Sequence, residues 1–141
     1  MDQRIDVITL AVWDLKRALT FYQKGLGLET SGITATEYAG DDENAAGAIV
    51  LFRLNSGMML ALYPRSELAK DARVDEISAQ SGAFSLGQIV STRSDVDKLL
   101  TQAEAAGATI TDKPHDRPWG IYSGYFRDPD GHLCEIIHNP H

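Results

Sequence analysis

The feature that most constrains how this chain can fold is a plan of elements that occurs twice. "IDVITLAV" (Ile5 to Val12) is β-branched and apolar, with Val7, Thr9 and Ala11 facing one way and Ile8, Leu10 and Val12 the other, as a strand requires. Asp14 then stands before "LKRALTFYQKGLG", where Leu15, Ala18, Leu19 and Tyr22 recur at helical spacing. The aspartate can cap the free amides of the first turn, and Gly25 or Gly27 can end the helix in the left-handed conformation. Beyond "LETSGITATEYAG", the runs "AIVLFRL" and "MMLALYP" flank "NSG", a hairpin signal. The first half therefore reads strand, helix, three strands.

The second half repeats that order. "AFSLGQIVS" is a strand, and "SDVDKLLTQAEAAGA" is a helix, with Ser94 and Asp97 as a capping box, Val96, Leu99, Leu100 and Ala103 as its apolar stripe, and Gly107 at its end. "ATITDK", "GIYSGYF" and "GHLCEII" supply three more strands, the last two joined by "RDPDG". Between the halves, "RSELAKDARVDEISAQSG" is polar and is expected to be a linker carrying a short helix. Two βαβββ modules follow, at 4–65 and 83–139, with the linker at 66–82. One such module cannot cover both faces of its sheet. The expected fold is α+β, with the modules paired into a curved mixed sheet whose one face meets the helices and whose other face lines a cleft.

At 141 residues and 43% hydrophobic content, the chain suits a single domain with a proper core. Its net charge of −7 and pI of 4.9 argue against partners that present phosphate, so neither a nucleic acid nor an anionic membrane surface is expected. No apolar run approaches the roughly 20 residues that span a bilayer. The N-terminal "MDQRIDVITL" lacks the basic and apolar regions of a secretory signal, which leads to a cytoplasmic expectation. Cys134 is the only cysteine, which excludes an internal disulfide and a thiolate zinc cluster; it is expected to pack as a small buried hydrophobe.

The duplicated plan, with "LAVWDLKRALTFYQKGLGLE" near the start and "WGIYSGYFRDPDGHLCEIIHNP" near the end, resembles the vicinal oxygen chelate superfamily, which contains glyoxalase I, ring-cleaving dioxygenases, fosfomycin-modifying enzymes and bleomycin-resistance proteins. The resemblance covers nearly the whole chain and implies a small-molecule cleft and a homodimer. Its metal-dependent members hold a divalent ion with His, Gln or Glu from the first and last strands of each module. By motif spacing those positions fall here on Val7, Ala61, Ser85 and Glu135, and only Glu135 is a competent ligand. A catalytic divalent ion needs about three protein ligands and an open position. No cofactor is therefore expected, and a divalent metal remains the alternative.

Glu135 admits two readings. Its carboxylate is either a solvated or hydrogen-bonded remnant of a metal-binding ancestor, or a functional group that either binds a cation or hydroxyl or acts as an acid or base. Thr9 shares strand parity with Val7, and related fosfomycin-modifying proteins use a threonine at the matching place for substrate; a β-branched strand residue is the plain alternative. Ser123 and Tyr125 share a strand face that the resemblance turns toward the cleft, where a phenol can stack on a ligand and donate a hydrogen bond. Trp119 lies where a loop, containing His115, enters that strand; it is either a lid or a packing or dimer contact. Ligand-binding candidates are thus Thr9, Ser85, Trp119, Ser123, Tyr125 and Glu135. "DPDG" lacks the alternating oxygen ligands of a calcium loop and reads as a turn, and "GLGLE" reads as a helix end. The expected activity is metal-free binding of a small organic molecule. The alternatives are a metal-dependent lyase, dioxygenase or thiol transferase, and a metal-free enzyme using Glu135.

Overall fold

The structure is a computed structural model that describes residues 1–76 and 82–141; part of the expected linker at 66–82 lies outside the described residues. Contacts divide the chain into two compact units, Met1–Ser78 and Ala79–His141. Each contains its own four-stranded mixed sheet.

In the first unit, β1 (Val7–Val12) leads into α1 (Leu15–Leu19), followed by β2 (Ile33–Thr34), β3 (Ile49–Arg53), β4 (Met59–Pro64) and α2 (Arg65–Ala72). Asp14 caps α1 as its sequence position suggests, its Oδ1 accepting from the amides of Lys16 and Arg17 at 3.0 and 3.1 Å. The helix then widens into a π-helical turn at Thr20–Gly25, where the Leu26 amide reaches back to the carbonyl of Phe21. The sheet order is β1-β4-β3-β2, with β1 and β4 parallel and the other neighbours antiparallel. Leu10, Val12, Val50, Phe52, Leu60 and Leu62 are buried with Ala18, Phe21 and Tyr22 of the helical segment. Phe21 meets Tyr22 edge-on at 5.0 Å, and Tyr22 lies 6.0 Å from Phe52. Each fully buried apolar side chain of this kind contributes about 1.5–3 kcal/mol. On the opposite face of β1, Val7 and Thr9 are exposed.

The second unit repeats the plan with β5 (Leu86–Val90), α3 (Arg93–Ala105), β6 (Thr109–Asp116), β7 (Tyr122–Arg127) and β8 (Leu133–His138), in the order β5-β8-β7-β6. Val96, Leu100 and Ala103, spaced by four and three residues along α3, are buried together with Phe126, Cys134 and Ile136 on one face of the sheet. Cys134 is indeed buried, and burial, helped by the nearby Asp128 carboxylate, pushes its thiol up to about 12.

Two local readings are corrected. The cap of α3 is Thr92, not Ser94 with Asp97: Thr92 has the extended backbone a cap needs, and its side chain accepts from the Asp95 amide at 3.0 Å. Asp97 is free to do something else, and its Oδ1 accepts from the Tyr122 hydroxyl at 2.6 Å. Secondly, His115 lies within a strand instead of a loop, because β6 continues past Lys113 to Asp116. The strand tolerates Pro114 through register shifts between Ile110 and Asp112 and between Asp112 and His115.

The "DPDG" turn closes the β7–β8 hairpin. Asp128 Oδ1 accepts from the amides of Asp130 and His132 at 2.9 and 2.8 Å, the Gly131 amide donates to the Asp128 carbonyl, and Gly131 has φ 87°. Asp128 is buried, so this carboxylate does the work of a turn and not of a cation loop. Among the described residues no helix is long and apolar enough to cross a membrane.

Candidate functional site

The hairpin sets the register that places Glu135. Arg127 pairs with Leu133, and two steps further along each strand Tyr125 stands directly opposite Glu135. Alternation along the strands puts Ser123, Tyr125 and Arg127 on the face of β7 away from buried Phe126, and Leu133, Glu135 and Ile137 on the matching face of β8. That face is not covered by α3, whose buried residues pack with the opposite one.

Ser123 is fully buried on this face, and its hydroxyl donates to Glu135 Oε2 at 2.8 Å. The same hydroxyl oxygen accepts a close hydrogen bond from Arg117 Nε. Arg117 Nη2 donates to Asp112 Oδ2 at 2.9 Å and to the Ser123 carbonyl at 3.3 Å, and its guanidinium lies 5.4 Å from the centre of the Tyr125 ring. Asp112 Oδ2 also contacts His115 Nε2 at 3.0 Å. Glu135 is thereby connected to His115 through Ser123, Arg117 and Asp112.

The bulges of β6 explain how Asp112 joins this set. Ile110 pairs with Phe126, yet the next paired position, Tyr125, faces Asp112, so two residues of β6 oppose one of β7. The extra residue turns Asp112 to the side of Tyr125. Gly124 is required by the same distortion, because a Cβ there would stand 3.0 Å from both the Asp112 carbonyl oxygen and the Pro114 nitrogen.

Electrostatics follow the contacts. Burial raises the Tyr125 hydroxyl above its ordinary range, and its hydrogen bond to the Glu135 carboxylate raises it further. Tyr125 is therefore a neutral donor at physiological pH. Arg117 and then His115 hold the Asp112 carboxyl below the usual carboxylate range. Asp112, and then the Asp116 carbonyl, raise His115 above the ordinary imidazole range.

Beside Tyr125 lies an open depression of about 450 Å³, lined by polar Ser85, Thr111, Asp112, Tyr125 and Arg127 and by apolar Phe84 and Leu133, with Gly82 at its border. Half-exposed Phe84 gives it an apolar wall. The face as a whole offers a phenol donor, a carboxylate acceptor and hydrocarbon side by side, a combination suited to a small polar organic molecule.

The sequence candidates distribute unevenly over the structure. Ser123, Tyr125 and Glu135 come together, and Ser85 lies with Tyr125 in the depression. Opposite Glu135 on β5 stands Gly87, two residues on from Ser85, the same offset by which Thr9 and not Val7 stands opposite Ala61 in the first unit. Thr9 belongs to the first unit, on an exposed position of β1 in register with Ala61. Val7 pairs with Met59. Trp119 is 82% exposed, has the left-handed φ of 64°, and is not in the lining of the depression. Among the described residues, no three or more His, Cys, Asp and Glu side chains come together as a metal site. Sequence reasoning missed Asp112 and Arg117 and set His115 aside. Their signal was the run "DKPHDRPWG", dense in ionisable groups just before β7, but strand parity cannot be counted through two bulges.

The descriptive profile of the Glyoxalase/Bleomycin resistance protein/Dioxygenase superfamily matches residues 4–136, spanning both sheets. The chain belongs to this superfamily. Among its relatives, the uncharacterised protein YraH of Bacillus subtilis is 31% identical over 131 residues, covering 92% of this chain and 93% of YraH. A glyoxalase-related enzyme from Fulvimarina pelagi has a similar structure, with a TM-score of 0.81 and 29% identity, over 99% of this chain and 90% of that one. Lactoylglutathione lyase from Agrobacterium tumefaciens aligns with a TM-score of 0.68 and 25% identity, over 98% and 95% of the two chains. The superfamily's α+β, glyoxalase-like fold is thus the fold of this chain. The superfamily contains several chemistries, so membership fixes the scaffold and leaves the activity to the site.

Proposed function

We propose that this protein binds a small organic molecule on the open sheet face of its second unit, at the Tyr125–Glu135 pair, without a catalytic metal. The observation that carries the reading is the direct cross-strand pairing of a neutral phenol with a carboxylate beside a partly apolar depression. The carboxylate is held from below by the buried Ser123 hydroxyl and from the side by Tyr125, so its orientation is set before a ligand arrives.

The donor set does not fit the divalent ion that metal-dependent relatives would hold. Of the positions that the resemblance assigns to ligands, Val7 and Ala61 offer hydrocarbon and Ser85 only a neutral hydroxyl, a poor ligand. Gly87, on the same strand face and in register with Glu135, would offer no side chain at all. The reading assigns Ser85, Ser123, Tyr125 and Glu135 to the ligand; Thr9, on the first unit's own sheet, and Trp119, outside the depression, are each to be tested by substitution. The reading includes a homodimer, as the superfamily resemblance suggests, and a cytoplasmic protein, as the N-terminal composition suggests. Acid or base chemistry at Glu135 is the second reading, favoured by the same hydrogen bonds, which aim the carboxylate at one point.

Elemental analysis after purification without chelator, followed by a thermal-shift screen of small organic molecules, tests the proposal. Stabilising ligands are expected for the wild type with less than stoichiometric metal, and Glu135→Gln or Tyr125→Phe is expected to weaken their shifts. Stoichiometric zinc, nickel, iron or manganese would overturn the metal-free assignment.

A further inference from the structure

The candidate site uses Glu135 and Tyr125, but the hydrogen-bonded chain behind them runs on to the surface and ends at a titratable ring. His115 is exposed at the surface, and both of its ring nitrogens face acceptors: Nδ1 is 3.0 Å from the Asp116 carbonyl oxygen and Nε2 is 3.0 Å from Asp112 Oδ2. A neutral imidazole carries one N–H and one lone pair, so it can donate to only one of these two oxygens. Only the imidazolium satisfies both. The carboxylate oxygen that takes the second proton donor is the one that accepts from Arg117 Nη2, while Arg117 Nε holds the Ser123 hydroxyl that donates to Glu135.

We infer that His115 acts as a pH sensor for the ligand-binding face, tuning the Glu135 carboxylate through Asp112, Arg117 and Ser123. The inference rests on the reading of Glu135 as part of the binding face and adds its regulation. When His115 is protonated, Asp112 Oδ2 is shared between two cationic donors. When His115 loses its charge it keeps one N–H, which the Asp112 carboxylate, the stronger acceptor, retains as a weaker neutral hydrogen bond, and Arg117 is then the one cationic donor on Asp112 Oδ2. The guanidinium is then drawn toward Asp112 and its hold on the Ser123 hydroxyl loosens, which changes the hydrogen bond delivered to Glu135. No other proton or electron moves.

The charged groups around His115 fit this direction. On β6 itself it faces Asp112 and the neighbouring Asp116, and from the following segment the Coulombic effect of Arg117 opposes protonation. From α3, Arg93 engages the Asp116 carboxylate at 2.6 and 3.3 Å, which leaves Asp112 as the carboxylate aimed at the ring. From β7 the register partner is Ser123, a neutral member of the chain. The raised affinity of His115 for its proton is consistent with this surrounding, and the ordinary imidazole range already lies where cellular pH varies.

Carbon-detected NMR of the unliganded protein tests the inference without any ligand, so its failure is separable from failure of the binding proposal. The Glu135 carboxyl resonance and the His115 ring nitrogens are followed from about pH 5 to about pH 8. In the wild type the Glu135 signal is expected to show an inflection at the His115 midpoint. His115→Gln and Asp112→Asn are each expected to abolish it, and Arg117→Lys to abolish it while His115 still titrates, since an ammonium cannot donate in the forked geometry to both Asp112 and Ser123. A wild-type Glu135 signal that is flat across the His115 titration, or an inflection that persists in His115→Gln, overturns the inference.

Discussion

At the scale of single residues, the most consequential side chain outside the candidate site is Asp128. It is buried, yet its carboxylate is satisfied by two backbone amides of the turn that sets the β7–β8 register. Asp128→Ala would leave both amides without that acceptor, at a cost of about 1–3 kcal/mol for a buried unsatisfied group. Asp128→Asn retains a carbonyl oxygen and is expected to lose less. Chemical denaturation of the two variants checks the ordering, and equal stabilities would mean that the turn does not depend on this oxygen. The role was readable in advance: Pro129 and Gly131 beside two aspartates, without alternating oxygen ligands, specify a turn. What could not be read was that Ser123 links Glu135 to an arginine, because neither strand pattern nor motif announces a buried hydroxyl with two partners.

At the scale of elements, β6 decides how the site is assembled, and its two register shifts depend on Gly124 across the ladder. Gly124→Ala would place a Cβ 3.0 Å from two backbone atoms of β6, closer than ordinary contact, so β6 must shift. The expected result is destabilisation of about 1–3 kcal/mol from overpacking, with the Asp112–Arg117 contact displaced. Thermal denaturation and the Tyr125 ring resonances check this; an unchanged melting temperature with unchanged ring signals would contradict it. The His115–Asp112 pair makes a second prediction at this scale. The folded-state pKa of His115 is raised, so the contact contributes its full stabilisation below the unfolded imidazole value and loses it as pH rises through the folded value. Asp112, whose folded value is depressed, contributes above its unfolded value and loses that contribution as pH falls through the folded one. Wild type is therefore expected to lose stability relative to His115→Gln between about pH 5 and about pH 8, and parallel stability curves would deny the contact any energetic role. Helix and strand identities were legible from apolar spacing, whereas the cap at Thr92 and the extension of β6 through Pro114 were not. A cap competes among several neighbouring polar residues, and a proline argues against a strand unless a bulge accommodates it.

At the scale of the whole molecule, the repeated βαβββ plan carried most of the information, since hydrophobic periodicity and helix-end signals recur in both halves and yield the two four-stranded sheets. The superfamily profile over residues 4–136 agrees with that reading of the scaffold. The site was legible only in part. Strand parity put Ser123 and Tyr125 on one face and the resemblance turned that face, with Glu135, toward a cleft; Asp112 and Arg117 were out of reach, because two bulges of β6 break the count. The decisive measurement is a ligand screen by NMR on isotope-labelled protein in the presence of excess chelator. The account predicts binding that perturbs Tyr125 and its strand neighbours, survives the chelator and is lost in Glu135→Gln; binding that appears only after a divalent metal is restored would contradict it.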